Sequence, residues 1–398
     1  MDSIDDTKHH VRIWHRDFWK LNVVSFFLAV SVYMQLPVFV KWMAESDALS
    51  DAQVSVVVGI YGLGLFMLGS VCSYLIQRYR RNKVCILTML LVAALLFCVA
   101  YFKDNLAGET SFARWVFIAS CLLRFLMGAF FGLAYMILNS TLIVDSCESS
   151  RRTVANVVSA WSHRLAVAVG PLFGIFLLDE AGISYAMYVS ALLCVVSVGI
   201  LSSVSFPFRA PEETLCMFST DRFFMLMGMP LVFPLFLVSV YTGMMVMAHH
   251  EMVFYGCLAV GFFLAIAFLV LTGINRIKRM YIYIGYILLV ASGVCFAFPM
   301  LCSWLADVGM VFLGVGIAMV TAFFHVWFTD AADHCQRGTA QSTYFLSFES
   351  GFSVGAALVL LKSVDGCVVE NVVALAVLSL SLFVYLLYTG RWLRRKKL

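Results

Sequence analysis

Charge is scarce in this chain. Only 13% of its 398 residues are Asp, Glu, Lys or Arg, about half the share usual for a soluble globular domain. With 62% of the residues hydrophobic, too few polar groups remain to cover a water-exposed surface. That excludes a soluble enzyme, a disordered chain and a collagen-like chain. Proline is rare, at seven residues, so long apolar stretches run with few helix-stopping rings. No C-x-x-C pair occurs among the twelve cysteines, which argues against a zinc site or a disulfide framework. Free thiols are expected, with a Cys302–Cys367 bridge between outer loops as the minor alternative. Hydrolase, nucleotide and zinc signatures are missing too. His249-His250-Glu251 comes nearest to H-E-x-x-H, but Phe254 stands where the second histidine is needed. No G-x-S-x-G, P-loop, pore loop or charge ring is present. No enzyme activity, metal, cofactor or nucleic-acid partner is expected.

What the chain has in abundance is apolar runs of membrane-spanning length. They fall at 21–41, 53–76, 84–102, 113–138, 154–178 and 183–206, then at 231–248, 252–273, 280–302, 306–328, 339–361 and 369–390. Each is long enough to cross about 30 Å of hydrocarbon as a helix, the form that satisfies its own backbone in lipid. The twelve-span count is weakest at the seventh run, which Pro230 and Pro234 interrupt. The polar N-terminal tail and the length of the first run mark a retained span rather than a cleaved signal.

Basic residues test that count independently. Of the 27 Lys and Arg, 21 fall in the two tails and in the loops after even-numbered spans. Only Lys41, Lys103, Arg114 and Lys362 fall on the other side. An asymmetry that persists to the C-terminus supports twelve spans with both termini cytoplasmic. The stretch 207–221, PFRAPEETLCMFSTD, is the longest polar segment after the tail. It divides the chain into a six-helix bundle at 1–206, a linker at 207–221 and a second bundle at 222–398. Two equal helical halves suggest a transporter built from repeats, although the halves show no convincing residue-level identity.

Several motifs stand in matching positions. The loop after the second span reads Ser73-Tyr-Leu-Ile-Gln77-Arg78-Tyr79-Arg80-Arg81. The fourth span holds Arg124-Phe-Leu-Met-Gly128-Ala-Phe-Phe-Gly132, and the fifth Ala166-Val-Ala-Val-Gly170-Pro171-Leu-Phe-Gly174. The eleventh opens Arg337-Gly338-Thr339-Ala340-Gln341-Ser342-Thr343-Tyr344 and continues through Glu349 to Gly351 and Gly355. In this order they resemble the major facilitator superfamily, and within it bacterial drug:proton antiporter branches. The first resembles G-x-x-x-D-R-x-G-R-R/K, keeping Arg78 and Arg81 but replacing the Asp by Gln77. The resemblance implies an all-α membrane fold of twelve helices in two six-helix bundles. It also implies a cytoplasmic gate at Arg78 and Arg81, and a bacterial inner-membrane location. From the residues themselves, Gly128 and Gly132 lie on one helix face and permit close approach. Gly170, Pro171 and Gly174 combine close approach with a bend.

Three charges lie where lipid should be. At about 1.5 Å rise per residue, Arg124, Arg164 and Glu349 all come near the middle of a core about 30 Å thick. A central charge costs about 2.5–3.5 kcal/mol on insertion scales, so such groups face water, substrate or each other. One reading has all three lining a shared wet cavity on the substrate path, with Glu349 carrying a proton. The other has Glu349 in a structural ion pair with Arg124 or Arg164. His163 and His325 could titrate near neutrality, yet each could equally be packed. Gln35, Tyr241, Thr321 and Tyr344 are candidate cavity groups, with packing on a helix face the equal alternative for each. The expected activity is proton-coupled export of an amphiphilic, drug-like small molecule by a monomer. Proton-coupled uptake of a small anionic nutrient is the alternative, and an intramembrane enzyme the outsider.

Overall fold

The computed structural model describes residues 15–45, 49–106, 113–147, 152–206, 216–249, 251–272, 280–297, 303–333, 336–361 and 367–396. All regular structure among them is helical. The first half comprises α1 (Arg16–Glu45), α2 (Asp51–Met67), α3 (Gly69–Arg78), α4 (Arg81–Leu106) and α5 (Ala113–Ile137). A wide turn at Leu138–Leu142 then leads into the short α6 (Ile143–Asp145), followed by α7 (Arg152–Ala181) and α8 (Ile183–Ser202). The second half comprises α9 (Met229–Ala248), α10 (Met252–Thr272), α11 (Met280–Ala297), α12 (Ser303–Ala331), α13 (Arg337–Leu361), α14 (Cys367–Val384) and α15 (Gly390–Arg395). Cys302, His250 and the side chain of Cys367 lie outside what the structure describes, so the Cys302–Cys367 pair does too.

Eleven helices are long and apolar enough to span a membrane, and α2 with α3, bent by 44°, makes a twelfth. Large apolar side chains point outward along them: Leu271 is 86% exposed, Leu63 69% and Trp115 65%. Water would not tolerate such a surface, and lipid does. The break falls at Leu68, not at the two prolines. Pro230 sits in the first turn of α9, where a missing N–H costs little. Pro234 denies Pro230 its helical donor, and Thr389 Oγ1 donates to that carbonyl instead, at 2.6 Å. Ser381 Oγ likewise donates to the Pro234 carbonyl at 2.8 Å. Hydroxyls from the last span thus serve two carbonyls of the seventh.

The two halves pair their helices in the same way. In the first half α1 packs on α7 and α8, α2 on α5, and α4 on α5 and α8. In the second half α9 packs on α13 and α14, α10 on α12, and α11 on α12 and α14. Glycines carry the closest approaches in both. A Cβ on Gly64 would strike the Phe125 carbonyl and one on Gly128 the Tyr61 carbonyl, while Gly261 and Gly314 oppose each other between α10 and α12. Between halves, α2 runs against α13 and α7 against α10. Ser55 Oγ donates to the Ala357 carbonyl at 2.7 Å, and Ser353 Oγ accepts from the Gly62 N–H at 3.1 Å. Where α1 begins and α15 ends, here termed the terminus side, Val157 and Trp161 pack on Leu269 and Ala322. On the far side a groove of about 580 Å³ opens between Pro37, Lys41, Asp179 and Glu251.

Residues 207–215 of the expected linker lie outside the described residues. Its end, with the first residues of the expected second bundle, does not lead away from the first half. Ser219 N–H donates to the Ser70 carbonyl at 2.9 Å, and the Phe223 ring lies against Gly69 and Phe66.

Candidate functional site

Buried polar side chains of α1, α7 and α13 meet at one junction. Glu349, 12 residues into α13, is 1% exposed. Tyr33 OH donates to its Oε1 at 2.6 Å, and His163 in its Nε2–H form donates to the same oxygen at 2.8 Å. Arg164 Nη1 stands 3.5 Å from that oxygen, within ion-pairing range. Glu349 Oε2 and His163 Nδ1 have no hydrogen-bond partner. A carboxylate of the second half is therefore gripped by three side chains of the first, all through one oxygen.

Local packing sets this geometry. Gly170 lets α1 approach α7 so closely that a Cβ there would lie 2.7 Å from the Tyr33 Cβ, and Gly174 meets the next residue's carbonyl. The element around Pro171 thereby fixes Tyr33 beside His163, whose rings meet edge-on at 5.8 Å. Tyr135 closes on His163 at 4.3 Å and stacks on Phe345 at 4.1 Å. The Arg164 guanidinium lies 3.3 Å over the Phe348 ring and 5.2 Å from Tyr344. Its Nε donates weakly to Tyr344 OH at 3.4 Å, and that hydroxyl donates to the Thr321 carbonyl at 3.1 Å. Cation–π contact and ion pairing together hold the charge in an apolar surrounding.

Arg124 belongs to a different place. It lies on the far side of Glu349, between the rings of Phe39 at 5.1 Å and Tyr61 at 5.3 Å. It borders a cavity of about 20 Å³ with Tyr33, Val58, Phe352 and Ser353. Glu349 and Arg164 do not line that cavity. The three charges expected around one watery hollow do not share a cavity in this structure. Two are in direct contact in a packed interior, and Tyr33 stands between them and the third.

Other candidate cavity groups hydrogen-bond to backbone carbonyls. Tyr241 OH donates to the Leu289 carbonyl at 3.1 Å and meets Ser292 Oγ at 2.8 Å, tying α9 to α11. Gln35 Nε2 reaches the Leu96 carbonyl of α4 at 3.4 Å, and Thr321 Oγ1 donates within its own helix at 2.7 Å. His325 bonds to Gln341 and sets its ring edge-on to Tyr344. At the expected gate, Arg81 pairs with Asp145 inside the first half, while Arg78 is exposed. The bridge across the halves comes from elsewhere. Asp221 accepts from Ser73 Oγ of α3 at 3.3 Å and from Thr339 Oγ1 of α13 at 3.2 Å. Arg222 N–H donates to Thr339 Oγ1 at 2.9 Å and Met225 N–H to Thr343 Oγ1 at 2.8 Å. Sequence reasoning missed this strap and Tyr33. The only signal for Tyr33 was a polar handle inside an apolar run.

Two six-helix groups with a lipid-facing exterior and a charged centre on their junction define a membrane transporter. The chain belongs to the Major Facilitator Superfamily, whose family model matches residues 21–356. The fold is similar to two crystal structures of the nucleoside transporter NupG. One, of a point mutant, superposes with a TM-score of 0.62 at 12% identity, over 94% of this chain and 99% of that one. The other gives 0.60 at 12% identity, over 95% and 99%. No curated protein matches the sequence.

Proposed function

We propose that the chain is a proton-coupled secondary transporter in which Glu349 carries the proton. The observation behind this reading is the one-sided grip on Glu349. Its Oε1 holds Tyr33, His163 and Arg164 across the junction, while Oε2 has no partner. Ionised, the carboxylate binds the halves together; protonated at Oε2, it loses its attraction for Arg164 and frees them to rock. The aromatic surround of Tyr33, Tyr344, Phe348 and Phe352 suits an amphiphilic substrate. The resemblance of the Ala166–Gly174 and Arg337–Tyr344 stretches to those of exporters supports outward transport. The basic loops support cytoplasmic termini, the resemblance to bacterial exporter branches supports a bacterial inner membrane, and one chain holds all the groups of the centre, consistent with a monomer.

One carboxylate implies one proton per cycle. A gradient of one pH unit then stores about 1.4 kcal/mol and supports about tenfold accumulation. Proteoliposomes tested with cationic, neutral and anionic fluorescent amphiphiles measure this. Glu349→Gln keeps acceptors for Tyr33 and His163, so it is expected to fold and to retain substrate counterflow. It loses accumulation driven by the pH gradient. Full proton-driven accumulation by that variant would end the reading.

A further inference from the structure

The proton centre leaves one buried charge unused. Arg124 is 3% exposed, and its Nε and Nη1 have no hydrogen-bond partner. No carboxylate pairs with it among the described residues. The faces of Phe39 and Tyr61 offset part of the cost of that charge. An uncompensated cation with idle donors is nevertheless among the most expensive groups a protein can bury. The adjoining cavity of about 20 Å³ has room for one water-sized atom. Its wall is apolar at Val32, Leu36, Val58 and Ala356, with the Ser353 and Tyr61 side chains also lining it. That setting fits a single negative charge on a small atom and disfavours a polyanion, whose further charges would face hydrocarbon.

We propose that Arg124 binds a monoanionic group in this cavity, a carboxylate oxygen of an amphiphilic substrate or a free halide. The proposal rests on the transport reading above and names the charge of its substrate. Tyr33 joins the two sites, since its ring lines the cavity and its hydroxyl holds Glu349. An anion at Arg124 is repelled by an ionised Glu349 and tolerated by a protonated one. Loading of the anion and of the proton therefore favour each other, as symport requires, so an anionic substrate at Arg124 selects the uptake alternative over export.

The test is thermal unfolding of the purified full chain in detergent at constant ionic strength. The probes are chloride, 4-phenylbutyrate and the neutral 4-phenylbutyramide, with gluconate as the balancing ion. Wild type is expected to show a saturable rise in Tm with an anion and none with the amide. Protection by chloride alone identifies a free-ion site, and protection by phenylbutyrate beyond chloride identifies a substrate carboxylate. Arg124→Gln is expected to weaken the response at least about tenfold. Should that variant fail to fold, Val58→Leu keeps Arg124 but fills the cavity, and is expected to lose the same response. Glu349→Gln retains the anion response while losing proton-driven flux, so the two readings fail separately. Equal protection by amide and anions, no protection by either anion, or an undiminished response in both cavity variants would overturn the proposal.

Discussion

Replacing Gly128 by alanine puts one methyl group where α2 and α5 touch. A Cβ there would lie 3.1 Å from the Tyr61 carbonyl carbon and 3.3 Å from the Gly64 Cα, with the Tyr61 oxygen closer still. Those neighbours are backbone, so no side chain can swing aside and the helices must separate by about 1 Å. Overpacking of this kind costs about 1–3 kcal/mol. Alanine recovers about 0.5–1 kcal/mol through helix propensity, leaving a net loss of up to about 2.5 kcal/mol. Gly199 is the control. It lies in α8 with nothing within 4 Å of a built Cβ, so Gly199→Ala is expected to gain about 0.5–1 kcal/mol. The change also reaches the site. Arg124 precedes Gly128 by one turn on the same helix face, and its guanidinium lies 5.3 Å from the Tyr61 ring across the same interface. Gly128→Ala should therefore weaken binding at Arg124, whereas Gly199→Ala leaves it intact. Unfolding of the purified variants in mixed detergent measures the stabilities. Gly128→Ala matching or exceeding Gly199→Ala would refute the claim that backbone contact holds these helices.

Two further outcomes follow from polar contacts. Asp221→Asn keeps the shape but removes the charge that draws Ser73 and Thr339 together, so the strap should loosen. Cys72, fully buried beside Ser73, is a natural reporter; its alkylation rate, read by peptide mass spectrometry, should rise several-fold, and an unchanged rate would count against the strap. Thr389→Val strands the Pro230 carbonyl that Pro234 cannot serve. It should cost about 0.6–1.7 kcal/mol in unfolding assays, the range of interhelical hydrogen bonds in membranes; no loss would mean that another donor takes over.

The span pattern was legible because lipid imposes it. Twenty or so apolar residues between charges leave few alternatives to a helix, and basic residues sort the loops. The buried charges were legible for the same reason, since Glu349, Arg124 and Arg164 stand out against an apolar background. Their mutual distances were not. Periodicity places Tyr33 inside α1 but says nothing of its pointing at a carboxylate 316 positions away. Tyr241 and Gln35 show the converse ambiguity. A polar side chain inside a span reads equally as a cavity group or a packed one; Tyr241 ties α9 to α11, while Gln35 Nε2 reaches the Leu96 carbonyl and its Oε1 has no partner. Gln77 in place of the usual Asp left the gate unexplained, because the carboxylate bridging α3 and α13 comes from Asp221 in a segment with no periodic signal.

The repeat that the sequence hides also explains where the charges sit. Arg164 and Glu349 each lie 12 residues beyond the first residue of α7 and α13, helices that hold equivalent places in the two halves. The same offset aligns Ala166 with Gly351 and Gly170 with Gly355. Gly170 and Gly355 each press on the first helix of their own half, Gly170 at Tyr33 and Gly355 at the Val240 carbonyl. Opposite charges at equivalent positions meet near the axis relating the halves, where rocking moves them least. Protonating such a pair weakens the attraction between the halves without choosing a side. The choice must come from contacts that differ between the two faces, namely the Asp221 strap and the Trp161–Leu269 seal on one and the groove at Lys41 on the other. On the proposed reading, the charge pair governs whether the halves move, and the strap governs where they rest. Asp221→Asn should therefore shift which side is open while leaving transport proton-driven, and Glu349→Gln should do the reverse.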